Sequence, residues 1–334
     1  MPGVRKRGEE IRSFILTNVT GNRNIAALTS EKFGITLPAV YKHIERLLSE
    51  KKLTKKSGQY ALKSAQSKYV YKINKTLSED AVWEKDIKKH FSGAPQNIKS
   101  IWTYGFLEIF NNAIEHSKGK NIKLVIDQNM VFTGMSVSDD GIGIFCNIRK
   151  KFNLADEKDA IIELAKGKCT TDKTRHSGQG IFFTSKVFDD FIINSKGITF
   201  ASNQQNGKKA YTGRAKFSTL VYMRLANNSN KALKEVFDRF STEIPGDFDK
   251  TIVPINLANS DDLVSRSQAR RILSGLELFK EVILDFKDIK SIGQAFADEI
   301  FRVFHDKNPK TVIIAQNTSE DVQYMINRAV NTKL

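Results

Sequence analysis

Residues 97–143 constrain this chain more than any other stretch. From Asn97 to Ser117, Trp102, Phe106, Ile109, Phe110 and Ala113 recur at helical spacing and form one apolar stripe. Glu108, Asn112 and Glu115 fall on another face, so a carboxylate and an amide one turn apart point the same way. An amide oxygen is a hard ligand suited to Mg²⁺, which bridges phosphates. A carboxylate beside it can orient or deprotonate an attacking nucleophile. A strand pair follows, Ile122 to Asp127 and Val131 to Val137, and ends at Asp139-Asp-Gly141-Ile-Gly143. A loop of about 30 residues, basic towards its end, then leads to Ser177-Gly178-Gln179-Gly180. A helix and further strands come next, the last running from Phe217 to Leu225.

Four of these places, in this order, resemble the GHKL ATPases (gyrase, heat-shock 90, histidine kinase, MutL). Glu108-Ile-Phe-Asn-Asn112 resembles their N box, Asp139-Asp-Gly141-Ile-Gly143 their first glycine box, and Gly178-Gln-Gly180 their second. Ser218-Thr219 stands where the family usually has Gly-Thr, and Asp140 stands where it usually has Asn. The resemblance covers about residues 97–226 and implies ATP and Mg²⁺ as cofactors. It implies that Asn112 holds Mg²⁺, that Asp139 accepts from the adenine amino group, and that Thr219 supports the adenine. It implies that Gly141 and Gly143 let the backbone approach the nucleotide, with Glu108 as the catalytic carboxylate. Ser177, Gly178, Gln179 and Gly180 would cradle phosphate at a helix N-terminus, where free N–H groups favour anions. Lys168, Arg175 and His176 lie in the loop that forms the family's lid and are expected at the triphosphate. A Walker-type site is disfavoured, because the Gly-Lys pairs at 119, 167 and 207 are not followed by Ser or Thr.

The N-terminal 65 residues hold thirteen Lys or Arg against five acids, half of the chain's formal net charge of +16. A polyanionic partner is expected there. Ile11, Phe14, Ile15 and Val19 mark one helix, Asn24 to Phe33 a second, and Pro38 sits in the first turn of a third with Val40, Ile44, Leu47 and Leu48 inward. Lys51 to Leu62 reads as a hairpin around Ser57-Gly58. Three helices and a basic hairpin resemble a winged helix-turn-helix. In that family the third helix enters the major groove, which makes Thr36, Tyr41, Lys42, His43 and Arg46 the expected DNA-facing residues, with Lys55 and Lys56 on the wing. The same fold also serves as a protein dock.

Residues 66–96 read as a helical linker. Towards the C-terminus, strands near 251–257, 282–286 and 311–315 alternate with helices near 267–279, 294–304 and 319–330, the pattern of a small α/β layer. The run Val282 to Ala295 resembles a STAS domain, and more specifically the STAS-like domain of unknown function that follows GHKL domains in some proteins. Where true antagonists carry a phosphorylated Ser, this chain has Gly293-Gln294-Ala295, so the resemblance implies a docking or dimerisation module for a protein partner or a second copy.

The expected fold is α+β and multidomain: a winged helix-turn-helix over 1–65, a linker over 66–96, a GHKL α/β sandwich (Bergerat fold) over 97–228 and a STAS-like domain over 245–334. No apolar run is long enough to span a bilayer, and the basic N-terminus has no apolar region behind it, so a cytoplasmic protein without membrane partners is expected. Cys146 and Cys169 form no metal or disulfide pattern. The expected function is an ATP-responsive regulator that switches DNA or partner binding, with slow hydrolysis as its reset. The alternatives are a Ser/Thr protein kinase of the anti-sigma-factor type and an ATP-gated clamp that dimerises on DNA. His43, His90 and His305 stand isolated, which argues against a two-component histidine kinase.

Overall fold

The computed structural model describes residues 2–19, 24–168, 179–203, 207–212, 218–258 and 263–331. They form a mixed α+β protein with three sheets among the described residues. By packing, the chain divides into two compact units, one of Met1–Tyr69, Val125–Met135 and Arg224–Ser229, the other of Val70–Leu124, Ser136–Met223 and Asn230–Leu334.

The first unit opens with α1 (Pro2–Asn18), α2 (Ile25–Phe33) and α3 (Leu37–Ser49), then the hairpin β1 (Leu53–Lys56) and β2 (Gln59–Leu62). Asn24 caps α2 through its side chain, and Gly34 closes it in the left-handed region, where glycine carries no steric cost. Ile15, Val40, Ile44 and Leu47 are fully buried at the centre of the helical core, and Leu53 brings the hairpin onto it. Val131 packs against the same core. Around Val131, Asn129 Oδ1 accepts from the Val131 and Phe132 amides at 2.9 Å each, and Asn227 Nδ2 donates to Asn129 O at 2.7 Å.

The strand β3 (Ala65–Lys72) comes next, followed by α4 (Glu79–Val82), which continues through a π turn and a 3₁₀ turn to Phe91. Residues 65–72 therefore form a sheet strand where the sequence suggested only linker. Ser67, Tyr69 and Tyr71 alternate with exposed Lys68, Val70 and Lys72, a period of two that the apolar Val70 on the exposed side and the polar Ser67 on the other obscure. The long α5 (Gln96–His116) carries its stripe inward, with Trp102, Phe106 and Phe110 fully buried. After it come β4 (Asn121–Gln128), β5 (Phe132–Asp139), α6 (Ile144–Lys151), α7 (Asp159–Lys166), α8 (Gly180–Val187), β6 (Asp190–Ser195), β7 (Ile198–Asn203), β8 (Gly207–Thr212) and β9 (Thr219–Ala226). The seven strands run in the order β3-β4-β5-β9-β6-β7-β8. Two helices, α6 and α7, occupy much of what reads in the sequence as one long loop. Their apolar residues come in runs too short to declare a period.

The short α9 (Leu233–Asp238) leads to the C-terminal module: β10 (Lys250–Pro254), α10 (Arg266–Leu273), β11 (Glu281–Asp285), α11 (Gln294–Asp298), which runs on through a π turn into α12 (His305–Lys307), then β12 (Val312–Gln316) and α13 (Glu320–Asn331). The three strands are parallel in the order β10-β11-β12. A capping box at Ser265 and Gln268 starts α10. No helix is long and apolar enough to cross a membrane among the described residues.

Candidate functional site

The end of β5 and the start of β9, neighbours in the sheet, bring Asp139 and Thr219 together. Both are buried. The Asp139 carboxylate accepts from the Gly141 amide at 2.9 Å and from the Thr219 hydroxyl, while Thr219 Oγ1 itself accepts from the Ile144 amide at 3.2 Å. Burial raises the Asp139 pKa above the ordinary carboxylate value, and these two hydrogen bonds oppose the rise only in part.

The turn itself is tightly determined. A Cβ on Gly141 would lie 2.0 Å from the Ser117 carbonyl oxygen, at the end of α5. Gly143 has φ of +89°, and a Cβ there would meet Ser195 Oγ at 2.8 Å. What approaches these glycines is thus the protein's own backbone and a serine. Ser195 is buried and donates to the Ser218 carbonyl at 2.6 Å, which ties the β6 end to the residue before Thr219. Nothing in the sequence points to Ser117 or Ser195, since each acts through a carbonyl or a hydroxyl far away in the chain. Asp140 is turned from the site. It accepts from the Lys120 amide at 2.7 Å, the Asn121 amide at 3.0 Å and Asn121 Nδ2 at 2.8 Å, and these bonds hold its pKa below the usual carboxylate range.

On α5, Asn112 Nδ2 donates to the Glu108 carbonyl at 2.7 Å, so the amide oxygen is the end not spent on the helix. One turn earlier, the Glu108 carboxylate lies against the first residue of α8: a Cβ on Gly180 would sit 1.8 Å from Glu108 Oε2. Burial, and after it the negative charge of Glu108, raises the pKa of Tyr104, one turn further back. Gln179 is half-buried at the N-cap of α8 and makes no side-chain capping bond there. Glu108, Asn112, Asp139, Gly141, Gly143, Gly180 and Thr219 therefore all belong to one region of the same unit. Arg175, His176, Ser177 and Gly178 lie outside the described residues. Lys168 is described and points elsewhere: its Nζ donates to the Leu278 carbonyl at 2.7 Å and stands 4.2 Å from the Phe279 ring centre. Burial lowers its pKa.

In the first unit, Thr36 is the N-cap residue of α3 but makes no side-chain cap bond. Tyr41, Lys42 and Arg46 are exposed on that helix. Arg46 Nε donates to Glu50 Oε1 at 2.9 Å. His43 is half-buried, and burial with nearby Arg12 and Arg46 pushes its pKa below the usual imidazole value. Lys55 lies over the Tyr60 ring at 5.2 Å, while the Lys56 side chain is outside the described part.

Residues 268–323 match the family model described as a STAS-like domain of unknown function (DUF4325). The C-terminal module therefore contains a STAS-like domain. No curated protein matches the chain.

Proposed function

We propose that this chain is an ATP-responsive regulator of the GHKL type, in which Mg²⁺-ATP binding to the site on α5, β5 and β9 governs the binding of DNA by a winged helix-turn-helix over residues 1–65 and of a protein by the STAS-like domain. The observation that carries the reading is the Asp139–Thr219–Gly141 arrangement. A buried carboxylate with one amide and one hydroxyl donor keeps acceptor capacity for an exocyclic amine, which is what adenine presents. In this reading Asn112 contributes its amide oxygen to Mg²⁺, and Glu108 takes the proton from an attacking water. Gly180 opens α8, whose free N–H groups suit phosphate. Mg²⁺-ATP would supply the charge and the hydrolysable bond that distinguish two states of the regulator.

Support for the DNA module is the three-helix core with its hairpin, the exposed outer face of α3 and the local excess of positive charge. The test is calorimetry of Mg²⁺-ATP with the full chain and with Asn112→Ala. Wild-type binding that disappears in the variant, with an unchanged melting profile, is the expected result. Equal affinity in both proteins removes Asn112 as the metal ligand, and no binding by the wild type removes the reading altogether.

A further inference from the structure

Two large apolar side chains stand in the open on the outer flank of α3: Leu37, 45% exposed, and Tyr41, 44% exposed. They lie one turn apart, and a further turn on is Glu45, also exposed. Among the described residues Glu45 makes no ion pair, although Arg46 beside it does, with Glu50. Proceeding round the helix from this line, the next line is basic, Lys42 and Arg46. An apolar–acidic line bordered by a basic one is an odd surface for general contact with phosphate. A carboxylate facing phosphates is repelled, and an exposed leucine gains nothing there.

The base edges in the major groove present the complementary chemistry. The apolar group there is the thymine 5-methyl, and the partner that suits a carboxylate is the cytosine N4 amine. Residues at the N-terminal end of a recognition helix are the ones that meet base edges, and Leu37 is the first residue of α3, with Pro38 setting its start. The charge of the module decides between duplex DNA and a protein as the occupant. Its N-terminal 65 residues carry thirteen basic and five acidic side chains, complementary to DNA, and Leu37 and Tyr41 make too small an apolar patch to hold a protein alone.

We infer that the line Leu37–Tyr41–Glu45 is the base-reading strip of this protein. It takes thymine methyl groups against Leu37 and Tyr41 and a cytosine amine against Glu45, while Lys42 and Arg46 hold the adjoining phosphates. The inference rests on the DNA-binding reading proposed above and adds the residues and base types to it.

The experiment uses the full chain, with and without Mg²⁺-ATP, to select duplexes from a randomised pool. Thymines of the enriched site are then replaced one at a time by uracil, which removes only the methyl group. The expected loss is about fourfold in affinity for each methyl that touches Leu37 or Tyr41. In Leu37→Ala and Tyr41→Ser, whose exposed side chains leave the core untouched, uracil at the corresponding position has no further effect. Glu45→Gln relaxes selection at a cytosine. An enriched site indifferent to uracil in the wild type overturns the base-reading strip and leaves DNA binding standing. No enrichment and no salt-sensitive retardation of any duplex overturns the DNA reading itself. Unchanged duplex affinity in Leu37→Ala and Tyr41→Ser, with loss of a co-purifying protein, makes the flank a protein dock and overturns the inference.

Discussion

Substituting Gly180 by Ala separates the architecture of the candidate site from its chemistry. The new Cβ would lie 1.8 Å from Glu108 Oε2, 2.6 Å from its Cδ and 3.3 Å from its Cγ. Ordinary contact needs about 3.5 Å, so the carboxylate must retreat by well over 1 Å. It can do so, because the colliding atoms are the far end of a flexible side chain. Gly180 is the first residue of α8, where replacing Gly by Ala favours the helix by less than the about 0.5–1 kcal/mol found in a helix interior. Folding stability should therefore hold or rise slightly, with the midpoint of urea unfolding unchanged or higher. The Gly180 amide persists, so Mg²⁺-ATP affinity should stay within about tenfold. Hydrolysis should not survive. A displacement of about 1 Å at a catalytic group costs on the order of 10²-fold, and full loss of a general base on the order of 10²–10⁴-fold. The assay pairs phosphate release with calorimetry on the same preparation. Phosphate release within a few-fold of wild type would show that Glu108 does not act from the position seen here. A wild-type protein that releases none would remove the catalytic role of Glu108 outright.

Gly141→Ala should behave in the opposite way. Its Cβ meets the backbone carbonyl of Ser117 at 2.0 Å, which cannot swing aside, so the variant should lose on the order of 2–3 kcal/mol of stability in urea unfolding together with any nucleotide binding. For Asp139→Asn, circular dichroism across pH should show a stability gain at neutral pH alongside an affinity for Mg²⁺-ATP at least about tenfold weaker. The sign follows from the raised pKa: the folded state holds a proton that the unfolded chain has lost, so wild-type stability falls as pH rises from the ordinary carboxylate value through the raised one, and the neutral amide removes that fall. Lys166→Met should cost about 3 kcal/mol in urea unfolding, because it strands two carbonyls and a carboxylate that share one buried ammonium; an unchanged midpoint would mean these bonds contribute nothing.

What could be read in the sequence was what periodicity and turn chemistry encode locally. The α5 stripe from Trp102 to Ala113 and the polar line Glu108–Asn112 lie where the spacing puts them, on inward and half-buried faces. The hairpin around Ser57-Gly58 and the three strands of the C-terminal module also follow their patterns to within a residue or two, except that β10 ends at Pro254, three residues before the expected Leu257, where a 3₁₀ turn takes over. The strand β3 was hidden, because Val70 sits on its exposed side and Ser67 on its covered side, which breaks the apolar–polar alternation that marks a strand. The reasons for the site glycines were not legible at all. Each depends on a partner distant in sequence: Ser117 for Gly141, Ser195 for Gly143, and Glu108 for Gly180. The same holds for Lys168. Its place in a basic loop suggested phosphate, but the aromatic rings of Phe248 and Phe279, which arrive from the C-terminal module, give its stem and charge another home.

That placement bears on why a STAS-like domain shares a chain with the candidate nucleotide site. Helix α7 and the two residues after it are held from the C-terminal module by five bonds. Asp159 pairs with Arg271 at 3.5 Å. Lys166 Nζ donates to the Arg271 and Ser274 carbonyls at 3.2 and 2.7 Å. Thr251 Oγ1 donates to the Lys166 carbonyl at 2.8 Å, and Lys168 reaches Leu278. The two carbonyls bound by Lys166 are those at the C-terminal end of α10, where a cation opposes the negative end of the helix dipole. The Lys166 side chain is almost fully buried, so this is a desolvated contact and not a surface ion pair of little weight. Immediately after Lys168 comes the segment with Arg175, His176 and the glycine pair expected at the triphosphate. The C-terminal module that contains the STAS-like domain is thus bonded directly to Lys166 and Lys168, the residues that precede that segment in sequence.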